Sequence, residues 1–545
     1  MKHYLFCTVL CVFALNTSQA QQSQESVQAL SPKAVKGYVY GINKADNGDL
    51  NITYKIAGDN KQDVFFETYA FNKQLQFINS NNTSVPKEDK EDRVQTYFYA
   101  SVGGCSSFDI LSMKLKLHKR ILQQSWSHEK QKYITTKVVS DENIKAKNDN
   151  GKAYKGFASY TSSTDANGTF IIAANDKTEK KQVNPFFILQ VSPDLDISEK
   201  TIDVAGNQSL VYCDQLSNDD VVMVFAPKKG QGDPSNYTYL RYSIKGDLIS
   251  KVPFTSPSNN LLIMDAREQN GAVYFCGTST KSKDSYDEVF EDYASIVNPC
   301  FKDELSDQDF KWQKKSDQKM ESFHLLKFKD DKLIFASTSP VADFKSKFKA
   351  SGKGASAYKG NKFSISKFFV TADDEFLIAG QLTSRAVLGS GYGALGNTPQ
   401  GTVMKTYQDI ICLHFDKAGQ LKAQYGVERL NDDKKSEIFS IEQNFYLGSD
   451  KKTLYWELLE AKGKKGYAGF MDAMNGNLTY YPLYSPRIAK IDLANTNVGE
   501  FEVLGNKKFY LRKDFTGLFS DKENSITYVG HDEDYKKLWV GKFNF

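Results

Sequence analysis

Arginine is scarce. Only eight of the 70 basic side chains carry a guanidinium group; the rest are lysines. The planar fork that grips phosphate or carboxylate through two hydrogen bonds is therefore sparsely supplied. With 66 acidic residues opposing them, the net charge of +4 sets up no long-range field that would draw nucleic acid or an anionic membrane. Cysteine is also rare, at seven, and no C-x-x-C occurs, which excludes a zinc ribbon and a disulfide-framed mini-domain. Cys276 and Cys412 sit in apolar strand patterns, where a buried thiol packs as a small hydrophobe. A bridge between Cys276 and Cys300 is the pairing that an oxidising compartment leaves open. Long apolar runs are missing too. The longest, Tyr4 to Leu15, has 12 residues against the ~20 that a membrane-spanning helix needs.

Several chemistries fall with their motifs. The chain has no H-E-x-x-H and no histidine pair at ligand spacing, and it lacks a G-x-S-x-G nucleophile elbow. Gly391-Tyr392-Gly393-Ala394-Leu395-Gly396 matches G-x-G-x-x-G, but Asn397-Thr398-Pro399 follows, so no helix starts where a dinucleotide's pyrophosphate needs one. Ser163 to Phe170 resembles the Asp-box turn of sialidase-type proteins with its glycine one place late, and it reads as a hairpin turn. His324 and His414 fall at equivalent places in two strands, which predicts equivalent packing in preference to a metal. His531-Asp532-Glu533-Asp534 reads as a solvated acidic turn. No cofactor or metal is expected. Glycosidase carboxylates leave no fixed spacing in sequence and stay open.

What is present begins with an export signal. Lys2 and His3 are basic, Tyr4 to Leu15 is apolar, and Ser18-Gln19-Ala20 ends in small residues suited to cleavage. The expected location is the periplasm or the exterior.

The strongest pattern in the rest is a repeating two-part unit. A turn leads into an apolar run that ends in a small residue, and an alternating strand then closes on an acidic or amide turn and begins another. The clearest copy takes Ala372-Asp373-Asp374 into Phe376 to Gly380, and later Ile410 to Phe415 through Asp416-Lys417-Ala418-Gly419 into Leu421 to Tyr425. Other first parts end at Ala226, Gly277 and Gly530, and other second parts include Phe186 to Ile197, Tyr239 to Ile249 and Phe323 to Phe335. About seven or eight such units predict an all-β fold, a β-propeller of about seven or eight four-stranded blades. The predicted organisation is a signal at 1–20, an N-terminal extension at 21–35, and a propeller at 36–545 with insertions at 278–320, 338–362 and 386–404. The terminal Leu538 to Phe545 reads as a closing blade strand and not as part of a membrane barrel, because most strands are short and carry Lys on the alternating face.

Function is expected in the insertions. Residues 285–297 predict a helix capped by Ser285 with Glu288, its apolar face including Phe290 and Tyr293. The lysine-rich stretch 338–362 predicts a solvated loop without nucleic-acid binding. Residues 386–404 carry no charge and are rich in glycine, a loop suited to recognition through Leu388, Tyr392 and Leu395. The Lys/Asn/Tyr-rich strands, the Gln21-Gln22 start and the D-x-x-G turns resemble the divergent β-propeller proteins exported by bacteria that use type IX secretion. The resemblance extends to the periplasmic plug of that translocon. It implies a non-enzymatic, periplasmic, protein-binding propeller of the cell envelope; a glycan-binding or glycan-cleaving propeller with channel carboxylates is the alternative. Cleavage after Ala20 leaves 545 − 20 = 525 residues. The intact mass of the protein recovered from outside the cytoplasm should match a chain starting at Gln21.

Overall fold

Short alternating runs bounded by Asp, Asn and Gly turns should pair with their sequence neighbours, and they do. A computed structural model describes residues 23–58, 60–102, 115–147, 151, 154–162, 168–175, 186–204, 208–290, 319–351, 356–361, 363–392, 399–430, 436–450, 452–466, 479–511, 517–520 and 522–545. Its strands form eight sheets, an eight-bladed β-propeller. Four sheets are up-and-down meanders of four strands in chain order. One of them comprises Gln208–Gln215, Val221–Pro227, Asn236–Tyr242 and Leu248–Thr255. In that sheet the second strand is buried along its whole length, whereas the fourth alternates exposed and buried residues. A strand covered on both faces reads as a continuous apolar run, and an outer one as period two.

The chain falls into two compact units. One comprises residues 1–90, 126–133 and 429–545, the other 91–125 and 134–428. In the larger, a single core runs from Phe170 through Phe225 and Phe275 to Phe328. Tyr239 stacks on Phe328 there, with ring centroids 4.4 Å apart. In the smaller, Ile52, Tyr69 and Phe71 share a core with Val529, Leu538 and Val540. Each fully buried aromatic or aliphatic side chain of this kind contributes about 1.5–3 kcal/mol.

The small residue that ends each apolar run has a definite cause. In five sheets the first strand carries one extra residue, at Tyr40, Phe157, Val211, Met264 and Ser366, where the register with the second strand slips. Such bulges push the backbone toward its neighbour. Opposite two of them stand Gly277 and Gly380, where an added Cβ would lie 2.6 Å from the Leu262 carbonyl oxygen and 2.1 Å from that of Ser364. Gly530 holds the same place against the Tyr510 carbonyl oxygen, at 2.3 Å.

The predicted insertions fold differently from the expectation. Over its described part the segment 338–362 is not a free loop: Phe344 and Tyr358 are buried against Phe323, and Phe348–Ser351 pairs parallel to Gln424–Val427. Their lysines sit among enough apolar residues to anchor the segment. The uncharged segment 386–404 is no loose loop over its described part; it forms the outer halves of two 17-residue strands, Phe376–Tyr392 and Pro399–Phe415. The helix near 285 spans Tyr286–Val289, with the Glu288 carboxylate accepting from the Ser285 amide at 3.1 Å; residues 291–297 lie outside the described part. Cys276 is a buried free thiol, and Cys300, the partner the sequence left open for it, lies outside the described residues. Among the described residues no helix is long and apolar enough to cross a membrane. Gly380→Ala should destabilise the protein by about 1–3 kcal/mol through overpacking, while Gly41→Ala, with open space at its Cβ, should change stability by less than about 0.5 kcal/mol. Urea denaturation of both variants checks the pair.

Candidate functional site

Ionisable side chains concentrate at the turns between the first and second strands, where Asp and Glu tolerate the left-handed backbone and accept nearby amides. Asp374 takes a φ of +60° in such a turn. Its carboxylate accepts from Tyr274 Oη at 2.8 Å and Lys327 Nζ at 2.6 Å, both on the preceding sheet. The next residue, Glu375, turns back to its own sheet and accepts from Lys422 Nζ at 2.6 Å and His414 Nε2 at 2.9 Å. Two sheets earlier the arrangement recurs. Asp219, φ +68°, accepts from Ser162 Oγ at 2.7 Å, and Asp220 accepts from Arg241 Nε at 2.7 Å. Consecutive acidic residues thus clamp adjacent sheets, one carboxylate to each.

The histidines serve the same scaffold. His414 lies between Glu375 and the Tyr425 hydroxyl, which is 2.9 Å from Nδ1. A carboxylate only accepts, so Nε2 carries the proton and Nδ1 accepts from Tyr425. Burial holds His414 below its ordinary range despite the pull of Glu375, so it is neutral at pH 7. Burial would raise Glu375, but the hydrogen bonds from Lys422 and His414 outweigh it and keep the carboxyl below its usual range; with His414 neutral, Lys422 carries the charge. His324 contacts Ser279 Oγ at 2.7 Å through Nε2 and the Ser337 carbonyl oxygen at 3.3 Å through Nδ1, and burial lowers it to about 4. The two are not equivalent after all: His324 sits near the start of Ser322–Lys329, His414 near the end of Pro399–Phe415. Among the described residues no cluster of three or more His, Cys, Asp or Glu offers a metal site. The turn at His531 to Asp534 is tied down, because Asp532 accepts from the Lys536 and Lys537 amides at 2.7 and 2.9 Å and Glu533 pairs with Lys462 at 3.1 Å.

Three buried carboxylates, Glu67, Glu457 and Glu460, escaped sequence reasoning, since each shows there only as an interruption of an apolar strand. Glu460 pairs with the Arg487 guanidinium, which also lies 4.9 Å from the Phe501 ring centre. Glu457 accepts from Tyr528, from Tyr446 Oη at 2.9 Å and from Asn444 Nδ2 at 3.2 Å. Tyr446 of the neighbouring strand and Tyr528 of another sheet supply hydroxyls in place of a cation.

The predicted contact residues are placed as follows. Phe290 is 1% exposed and joins the core of its unit, with Tyr286 and Val289 beside it. Tyr293 and Leu395 lie outside the described residues. Leu388 and Tyr392 belong to one strand, their backbones paired with Thr402 and Pro399. That hairpin outruns its sheet. The flanking strands pair only as far as Leu382 on one side and Ile410 on the other, whereas the hairpin's own register continues to Tyr392↔Pro399. The ten residues from Thr383 to Tyr392 therefore form half of a two-stranded ribbon about 30 Å long. A second hairpin, Leu454–Gly466 with Thr479–Asp492, likewise outruns its first strand, whose pairing stops at Leu459.

Burial raises the Glu457 carboxyl, an effect its three donors only reduce. A raised folded value gives stability that is full below the ordinary value, near 4.3, and is lost as pH climbs through the folded one. Glu457→Gln removes that titration but leaves a donor facing an amide, a cost of about 1–3 kcal/mol. The deficit of the variant should be largest near pH 4 and shrink toward pH 8, as measured by urea denaturation across that range.

No protein-family model and no curated protein matches the chain. Similar solved structures include a protein of unknown function from Bacteroides caccae, 10% identical over 69% of this chain and 93% of that one, with a TM-score of 0.21. The β-propeller domain of the Trilobed protease from Pyrococcus furiosus, described as having an open velcro topology, is 9% identical over 94% of both chains with a TM-score of 0.22. A Synechocystis apocarotenoid oxygenase mutant is 9% identical over 89% of this chain and 93% of that one, at 0.27. Likenesses this loose carry no argument about activity, and the fold rests on the sheets themselves.

Proposed function

We propose that this chain is an exported, non-enzymatic propeller that binds another protein of the cell envelope through the ribbon containing residues 386–404. The role is that of a plug or accessory subunit of a secretion translocon, in keeping with the family it resembles. One observation supports the reading above the others: the ribbon from Thr383 to Tyr407 has no further strand paired to either edge among the described residues. A two-stranded ribbon is only marginally stable in water, and a third strand or a packed surface stabilises it. Its uncharged stretch from Ala386 to Met404 suits close approach, and its open edges suit strand addition by a partner. The carboxylates Glu375, Glu457 and Asp374 are engaged by donors of the scaffold, so the glycan reading has less to draw on. Replacing 386–404 by an Asn-Gly turn between Arg385 and Lys405 should abolish stoichiometric capture of an envelope protein from membrane extracts while leaving the melting temperature within a few degrees. Capture that survives the replacement refutes the assignment.

A further inference from the structure

An outer strand leaves one edge without a neighbour in its own sheet, and natural proteins guard such edges with charge. Most outer strands here follow that rule. Ile197–Thr201 carries Glu199 and Lys200, Leu248–Thr255 carries Lys251, and Lys332–Pro340 begins on Lys332. The N-terminal segment expected to be an extension is a further outer strand: Ser23–Ala29 pairs antiparallel with Lys537–Asn544 and carries Glu25. Phe77–Pro86, the outer strand of the first sheet, does not follow the rule. It pairs along its whole length with Asp63–Phe71, has no strand on its other side among the described residues, and bears no charge across ten residues.

Exposure sets this strand apart as well. Nine of its ten residues are exposed, on both faces, whereas Leu248–Thr255 buries every second side chain from Ser250 onward. Phe77 and Ile78 are 38% and 51% exposed. From Asn79 to Ser84 the side chains are amides and hydroxyls only, and each of these both donates and accepts. Such a row can match a copy of itself. Charges stand only at its ends. Lys73, in the turn that starts the strand, and Glu88, two residues beyond Pro86, are exposed, and among the described residues neither is in an ion pair. Lys87 faces Glu129 at 3.8 Å.

We propose that Phe77–Pro86 is a self-association edge, to which the same strand of a second copy adds antiparallel across a two-fold axis. Two four-stranded sheets then continue as one sheet of eight. The placement of charge selects a second copy. Antiparallel alignment of identical strands sets the start of one beside the end of the other, so Lys73 of each chain comes to lie beside Glu88 of the other, and the attraction is made twice. Near the axis each residue approaches its own copy, and a charge there would meet the same charge. Asn81 and Asn82 stand there instead, and their amides can bond to one another. A parallel copy would set lysine beside lysine and glutamate beside glutamate.

The test is sedimentation equilibrium of the purified protein from about 1 to about 100 µM, because a contact made by one strand edge is small and gives a weak dimer. The protein should dimerise reversibly, and the amides of Phe77–Pro86 should exchange with deuterium more slowly as its concentration rises. Asn81→Lys, which puts two ammonium groups near the axis, should weaken dimerisation about fivefold or more. Lys73→Glu and Glu88→Lys should each weaken it about threefold or more when alone. An equimolar mixture of those two variants should pair again, because each chain then meets the opposite charge at both ends. The melting temperature of every variant should stay within a few degrees of the parent, since all three positions are exposed. A protein that is monomeric throughout this range overturns the proposal, even where a foreign strand binds the same edge. So does a dimer that Asn81→Lys leaves intact, or a mixture that associates no better than its components.

Discussion

The pairing of Ser23–Ala29 with Lys537–Asn544 is the constraint that joins the two ends of the chain within one compact unit. Several blades bury their second strand on both faces, as Val221–Pro227 and Ala272–Ser279 do, and such a strand needs a neighbouring sheet on either side. The last and first sheets obtain theirs only if the two ends of the chain are held together. Closure by a strand also removes an exposed edge next to buried Trp539, where unpaired amides would otherwise invite association with another chain. The cost is kinetic, because a contact between residues more than 500 positions apart forms only after nearly the whole chain is available. A chain made from its N-terminus cannot complete this sheet until Lys537–Asn544 has been made.

Within each unit the sheets hold to one another by two local devices. Bulges at Tyr40, Val211, Met264 and Ser366 bring the first strand so close to the second that glycine is needed at Gly277 and Gly380. Acidic turns then tie sheet to sheet, with Asp374 reaching back to Lys327 of the preceding sheet and Glu375 holding Lys422 of its own. Both work through backbone geometry and charge, so loops between blades can vary in length without disturbing the packing. The long spacing between repeats is a consequence of this tolerance.

The same devices explain what was legible in the sequence. Apolar runs ending at Gly277, Gly380 and Gly530 marked second strands because the residue type and the close approach have one cause. First strands such as Gln208–Gln215 and Leu262–Gln269 went unseen, since the bulge breaks their period of two just where a pattern would be read. The N-terminal strand, Ser-Gln-Glu-Ser-Val-Gln-Ala, has almost no apolar alternation to detect, because its role is hydrogen bonding at an edge. The segment 386–404 read as a loop for the opposite reason: glycine and the absence of charge mask a register set by continuation of the strands at its base.

Chemistry was harder to read than fold because its carriers are not local. Glu457 is meaningful only beside Tyr446 of one strand and Tyr528 of another sheet, 71 residues away in sequence. His414 is explained by Glu375, 39 residues before it. In both cases a titratable group is surrounded by partners drawn from the scaffold, and its shifted equilibrium is accounted for by burial and those partners alone. A group whose lone pairs and protons are all engaged in holding sheets together has none to offer a substrate. Among the described residues the strand Phe376–Tyr392 has no third strand paired beyond Leu382, and the chemistry such an edge offers is that of adding another strand.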